Sequence, residues 1–220
     1  MLTKDYIKRM IDVLTKVLAR LVFLKQGKDF EEAFKEIDQV TKELFGFDRL
    51  LINSISDSQL IKMIGNNESL LAPNCYLLGV LFKEEADIYE LQSFSKKSLE
   101  KYERSLNLFV EGLKNSPILI EPSQLSKIDN VVEKIEDQEI NIRTEESLFF
   151  YYEFTGKFDK AEDIIFDLID FNSQYKLDGI SFYKRLLEKS DNDLIKGNLP
   201  RQEVEEGIEI LKNMNHNSND

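Results

Sequence analysis

The side chains behind most protein catalysis are scarce in this 220-residue chain, which holds a single histidine, His216, and a single cysteine, Cys75. No triad or dyad that needs an internal histidine can be assembled from them, nor a Cys/His zinc site, nor a disulfide. The nine glycines stand singly, so no loop can cradle a phosphate with successive backbone amides. Carboxylates are abundant, but the adjacent pairs Glu84 with Glu85, Glu145 with Glu146 and Glu205 with Glu206 point roughly 100° apart on a helix. They do not converge on one substrate atom, and their expected place is on solvated faces. A carboxylate-bridged metal would need Glu-x-x-His, and His216 lies alone near the end. Asp191-Asn-Asp193 begins as a calcium loop does, yet the later glycine and terminal glutamate are missing, so a turn with an Asp cap is expected. The expectation is a non-catalytic protein with no metal and no cofactor.

The run Phe149-Phe150-Tyr151-Tyr152-Glu153-Phe154 is the richest in binding chemistry. A helix cannot bury five consecutive aromatics against one neighbour, because successive residues sweep around its axis. Phe149 and Tyr152 belong to the packing face. Phe150 and Phe154 are neighbours one turn apart on another side, flanked by Glu146 and Glu153. These four residues form a candidate partner-binding stripe, an apolar groove with an acidic rim suited to a peptide or helix that carries basic residues. The competing expectation is that another helix of the same chain fills the groove. Two other occupants are a second copy of the chain and a cytoplasmic peptide whose binding shifts the helices, as in a sensing regulator.

Charge sharpens the partner class. With 29 Lys+Arg against 41 Asp+Glu the net charge is −12, which argues against nucleic acid. Residues 1–28 depart from this, holding seven basic residues and two acidic ones; their surplus of +5 leaves −17 on the remainder. That contrast predicts electrostatic docking of the first helix onto the acidic body, ahead of binding to an anionic membrane. The longest uncharged run, Ser69 to Phe82, is broken by Pro73 and Asn74 and is too short to span a bilayer. Without the pattern of a secretory signal, a cytoplasmic protein with Cys75 as a buried thiol is expected.

The elements that must position these residues are all helical. Apolar residues recur at three- and four-residue intervals from Leu2 to Leu24, with Gly27 as the stop. A second helix runs from an Asp29 cap to Gly46, and Ser54 to Gly65 reads as short pieces capped by Ser56 or Asp57. Pro73 is expected to open a helix through about Leu91, followed by one from Ser95 to Pro117. Pro117-Ile-Leu-Ile-Glu-Pro122 is a loop or at most an edge strand. Ser123, Thr144 and Phe158 start the next three helices, and Gln174–Glu188 and Pro200–Met214 close the series. With no linker composition anywhere, one domain over residues 1–214 and a polar tail over 215–220 are expected.

Successive helix pairs raise the question of a repeat. Leu148, Tyr152, Gly156, Ala161 and Ile165, with Phe158 three residues before the alanine, fall at the offsets of the tetratricopeptide pattern. Phe23, Gly27, Phe30, Ala33 and Ile37 offer a second copy with a longer turn. The third is split, its head Leu78-Gly79-x-x-Phe82 and its tail Tyr102, Ser105, Phe109, Gly112 and Pro117. Phe82 and Ser105 are 23 residues apart where Tyr152 and Ala161 are 9 apart, an excess of roughly four helical turns shared by two longer helices. The chain therefore resembles the tetratricopeptide superfamily in packing logic, with Phe149, Leu168 and Ser173 departing from its small-residue and proline positions. The segments Met1–Ile11, Tyr151–Asp163, Phe182–Ser190 and Leu199–Gly207 further resemble an uncharacterised bacterial family of tetratricopeptide-like proteins. The resemblance implies an all-α fold of antiparallel helix pairs in a short right-handed superhelix. It implies no activity and transfers no catalytic residue.

Overall fold

Side-chain caps decide where many of the helices begin. A computed structural model describes residues 2–116 and 122–214. Among them are twelve α-helices, a 3-10 turn at Ser173–Tyr175 and no strand. The first six are α1 (Leu2–Gln26), α2 (Phe30–Phe45), α3 (Arg49–Ser54), α4 (Asp57–Ile64), α5 (Glu68–Leu91) and α6 (Ser95–Asn115). The others are α7 (Pro122–Ile135), α8 (Ile142–Thr155), α9 (Phe158–Phe171), α10 (Lys176–Leu187), α11 (Asp191–Lys196) and α12 (Arg201–Asn213). Asp29, Asp48 and Ser56 accept from the amides of Glu32, Leu51 and Gln59, and Gln59 returns the contact to complete a capping box at α4. Each such cap is worth about 1 kcal/mol. Gly46 and Gly156 close α2 and α8 at φ of 75° and 79°, where a side chain would be strained.

Several starts differ from the sequence expectation. α5 opens at Glu68 on the Asn67 cap, which places Pro73 inside the helix. Lacking an N–H, Pro73 gives no bond to the Ser69 carbonyl, and the burial of the following stretch, Cys75, Leu77, Leu78, Val80, Leu81 and Phe82, offsets the loss. α8 is capped by Asn141, so Thr144 lies in its first turn. α7 begins at Pro122, one residue before the expected cap Ser123. Asp191–Asp193 is the start of a short helix on a Ser190 cap, where a turn was expected. Pro200, extended at ψ 155°, precedes α12 as its N-cap. The stretch 117–121, the tail 215–220 and His216 lie outside the described residues.

The chain divides into two compact units, Met1–Ile140 and Asn141–Asp220. In the first, α5 and α6 form the central pair. The ring of Phe109 lies where a Cβ on Gly79 would come within 2.7 Å, and the Ser105 hydroxyl donates to the Gly79 carbonyl at 2.7 Å. Small residues on both helices thus bring two backbones together. The residues read from the sequence as a split third copy, Leu78, Gly79, Phe82, Tyr102, Ser105, Phe109 and Gly112, lie on these two helices of 24 and 21 residues. α1 packs on α2 through Leu21, Leu24, Ala33 and Ile37. Phe23 is 75% exposed and takes no part, which corrects its expected packing role. α1 turns its Leu21–Leu24 side inward, and residue 23 falls on the other.

The second unit pairs α8 with α9 and α10 with α12. Leu148, Tyr152, Phe158, Ala161 and Ile165 are all buried. Gly207 lets the buried Tyr183 ring approach α12, since a Cβ there would lie 2.4 Å from it. The Tyr183 hydroxyl donates to Glu162 at 2.5 Å.

Candidate functional site

α8 divides its aromatic run among three environments. Tyr151 and Tyr152 are core, and Phe149 meets Phe182 of α10 edge-on, with centroids 5.4 Å apart. Phe150 and Phe154 stack one turn apart, 6.1 Å between centroids and 12° from parallel. Phe150 is half-buried, and Phe154 remains 39% exposed. The two aromatic residues of the expected stripe are therefore brought together and are not fully covered within the chain.

The rim differs from the picture of two carboxylates awaiting a partner. Glu153 accepts two hydrogen bonds from Arg185 of α10, at 2.6 and 2.7 Å. Glu146 accepts from the Tyr175 hydroxyl at 2.5 Å, and this bond holds the Tyr175 proton, pushing its pKa up to about 12. Both contacts come from residues 29 and 32 positions further along the chain, a distance at which no helical periodicity links them. The sequence could place the acids beside the rings, but not the groups that occupy them.

The chemically dense region that sequence reasoning missed lies in the first unit. Glu84 and Glu85, expected in solvent, are both buried, Glu85 to 3% exposure. Glu84 and Asp87 hold Lys25 of α1 at 2.6 and 2.7 Å, and Asp87 also accepts from Lys83 and from the Tyr102 hydroxyl. Burial opposes charge on Lys25, but attraction to Glu84 and bonds to both carboxylates outweigh it and raise its pKa. Burial likewise opposes charge on Asp87, and Lys83 and Lys25 overcome it, holding the carboxyl below its ordinary value. On the other flank Arg49 donates to Glu85 at 2.8 Å, while Arg104 donates to Asp57 at 2.7 Å and to the carbonyls of Ile52 and Ile55. Lys101, 3.6 Å from the Glu85 Oε2 that accepts no hydrogen bond, has its pKa lowered, chiefly by burial.

These pairs tie α1, α3 and α4 to the α5–α6 pair, and of the basic residues of α1 it is Lys25 that binds this acidic flank. Arg20 adds a bond to Glu36 of α2 at 2.6 Å. One signal for the buried pair was present. The unbroken apolar run Tyr76–Phe82 surrounds its helix, so charges in the next turn must also be buried and matched. Among the described residues no group of three or more His, Cys, Asp or Glu side chains is arranged to hold a metal ion. No helix among them is long and apolar enough to cross a membrane.

Neither the curated proteins nor the solved structures contain a match to the chain. Residues 1–216 do match a family profile, and the protein belongs to the family of unknown function DUF6483.

Proposed function

We propose that this protein is a non-catalytic interaction module of tetratricopeptide-like helix pairs, and that the Phe150–Phe154 stack seats a protein or peptide. The observation that carries the reading is the stack itself. Two parallel rings sit on the outer side of a helix whose inner side is fixed by buried Tyr151 and Tyr152, with Phe154 left 39% exposed. Rings held in this way lose little side-chain freedom when an apolar anchor covers them. The repeat-like packing is supported by the α8–α9 offsets and by the small-residue approach of α5 to α6. A basic residue of the partner would compete with Arg185 for Glu153, so affinity rests mainly on the apolar anchor. A reducing cytoplasm agrees with the lone buried thiol of Cys75.

The test is affinity capture from the cells of origin with wild type and with Phe150→Ala plus Phe154→Ala, followed by titration of the recovered partner. The reading expects at least about a tenfold loss of affinity at unchanged helical circular dichroism. Equal capture by both proteins rejects the stripe. Light scattering across concentrations identifies the case in which the partner is a second copy of the chain.

A further inference from the structure

The first unit contains an apolar cavity of about 410 Å³ among α1, α5, α6 and α7. The sequence explains its walls. The broad apolar stripe of α1 is divided: Met10, Leu14, Leu21 and Leu24 are buried in the core, while Ile7 and the 44% exposed Ile11 line the cavity. On α5 the wall is Pro73, Tyr76 and Leu77. Pro73 forgoes a helical hydrogen bond in this wall, and a proline ring within a helix holds the turn before it away from ideal packing. On α6, Phe109 closes one side, and Gly112 lets this helix approach α5, since a Cβ there would lie 3.3 Å from the Ala72 carbonyl. Burial pushes the Tyr76 phenol up to about 12, consistent with a dry surround.

The charge of the lining is as selective as its shape. Lys8 is the one charged residue among the described lining residues. Lys8 is exposed, so it marks the mouth, and it makes no ion pair among the described residues. Ser116 and Gln124 are further polar members of the lining. Pockets of about 300–1,000 Å³ with apolar walls and a few polar groups are the usual form of a small-molecule site.

We propose that this cavity binds a single-chain amphipathic anion, an alkyl tail inside and a carboxylate at Lys8. The tail supplies most of the affinity by leaving water, and the head group sets its direction.

Monomeric laurate tests this, with dodecylamine and dodecanol as tail-matched controls, measured by titration calorimetry on the full chain. Saturable 1:1 laurate binding is expected, with affinity rising about fourfold per added methylene across octanoate, decanoate and laurate. Lys8→Gln should weaken laurate by about threefold and leave dodecanol unchanged, the size of effect an exposed ion pair gives. Ile11→Trp, at a position that is 44% exposed, should fill the cavity and remove laurate binding. Absence of saturable laurate binding overturns the proposal, as does binding that survives Ile11→Trp with the helical signal intact. Dodecylamine binding as tightly as laurate overturns the choice of an anion. None of these outcomes bears on the Phe150–Phe154 stripe, which shares no residue with the cavity.

Discussion

The α5–α6 pair and the α8–α9 pair solve the same packing problem with different materials. α5 and α6 run for 24 and 21 residues, and charged groups are buried along their flanks. α8 and α9 have 14 residues each and a conventional apolar interface. The main ion pair of α8, Glu153 with Arg185, is at the surface, Arg185 being half exposed. A long helix that meets neighbours on every side has no solvated face for its charges, so they must be matched internally. A short helix with one open side can leave aromatic rings and ion pairs in contact with water. The first arrangement suits a rigid body with an internal cavity, the second a surface that meets a partner.

The sharpest way to break this comparison is to remove one buried partner. Arg104→Met removes the guanidinium that donates to the buried Asp57 carboxylate at 2.7 Å, while the Asn107 amide still donates to its other oxygen at 3.0 Å. Urea unfolding should show a loss of about 3–5 kcal/mol. A loss below about 1 kcal/mol would mean that water reaches the pair and that the two regions do not differ in kind.

Gly79→Ala probes the backbone approach. The new methyl would lie 2.7 Å from the Phe109 ring, so the ring or the helices must shift. A net loss of about 1–2 kcal/mol is expected, after the gain in helix propensity over glycine is subtracted from the overpacking penalty. A stabilised variant would show that α5 and α6 separate readily.

Acid should divide the two units in a residue-resolved hydrogen-exchange experiment. Asp87 has a lowered folded-state pKa, so its stabilisation is complete above the unfolded value of 3.8 and is lost as pH falls through the folded one. Glu162 in the second unit is raised, mainly by burial and against the bond from Tyr183. Its penalty is present above the folded pKa and is relieved as pH falls toward 4.5. Protection factors in α9 and α10 should therefore rise modestly from neutral pH toward 4.5, and those in α5 should fall below about pH 4. Parallel profiles would remove the distinction.

The smallest effect belongs to Arg185→Ala. Its partner Glu153 is near the surface and Arg185 is half exposed, so thermal unfolding should register under about 1 kcal/mol. A larger loss would make α10 part of the same tightly coupled core as α8.

Much of the fold was legible because its causes are local. The Asp29 and Ser56 caps, the Gly46 and Gly156 stops and the α8–α9 offsets depend on residues within one or two turns of each other. The misreadings involve distant partners. Pro73 looked like a helix start because nothing nearby announces that Asn67 caps first and that burial carries the helix through it. Phe23 sat at a repeat offset, but α1 turns the Leu21–Leu24 side inward. Of the candidate site, Phe150 and Phe154 were legible from helical spacing; Arg185 and Tyr175, which occupy the acidic rim, were not.

By itself, then, the sequence determined that the chain is helical, where many helices start and stop, and that α1 carries a basic surplus seeking an acidic surface. Periodicity, capping and net charge act over a few residues or on the chain as a whole, and both are readable without coordinates. The tertiary structure decided which charges are buried, as with Glu84 and Glu85, and which apolar residues line a cavity, as with Ile7 and Ile11. Burial is a property of what arrives from elsewhere in the chain, and the energy of a charge or a methyl group depends on that neighbour more than on its own position.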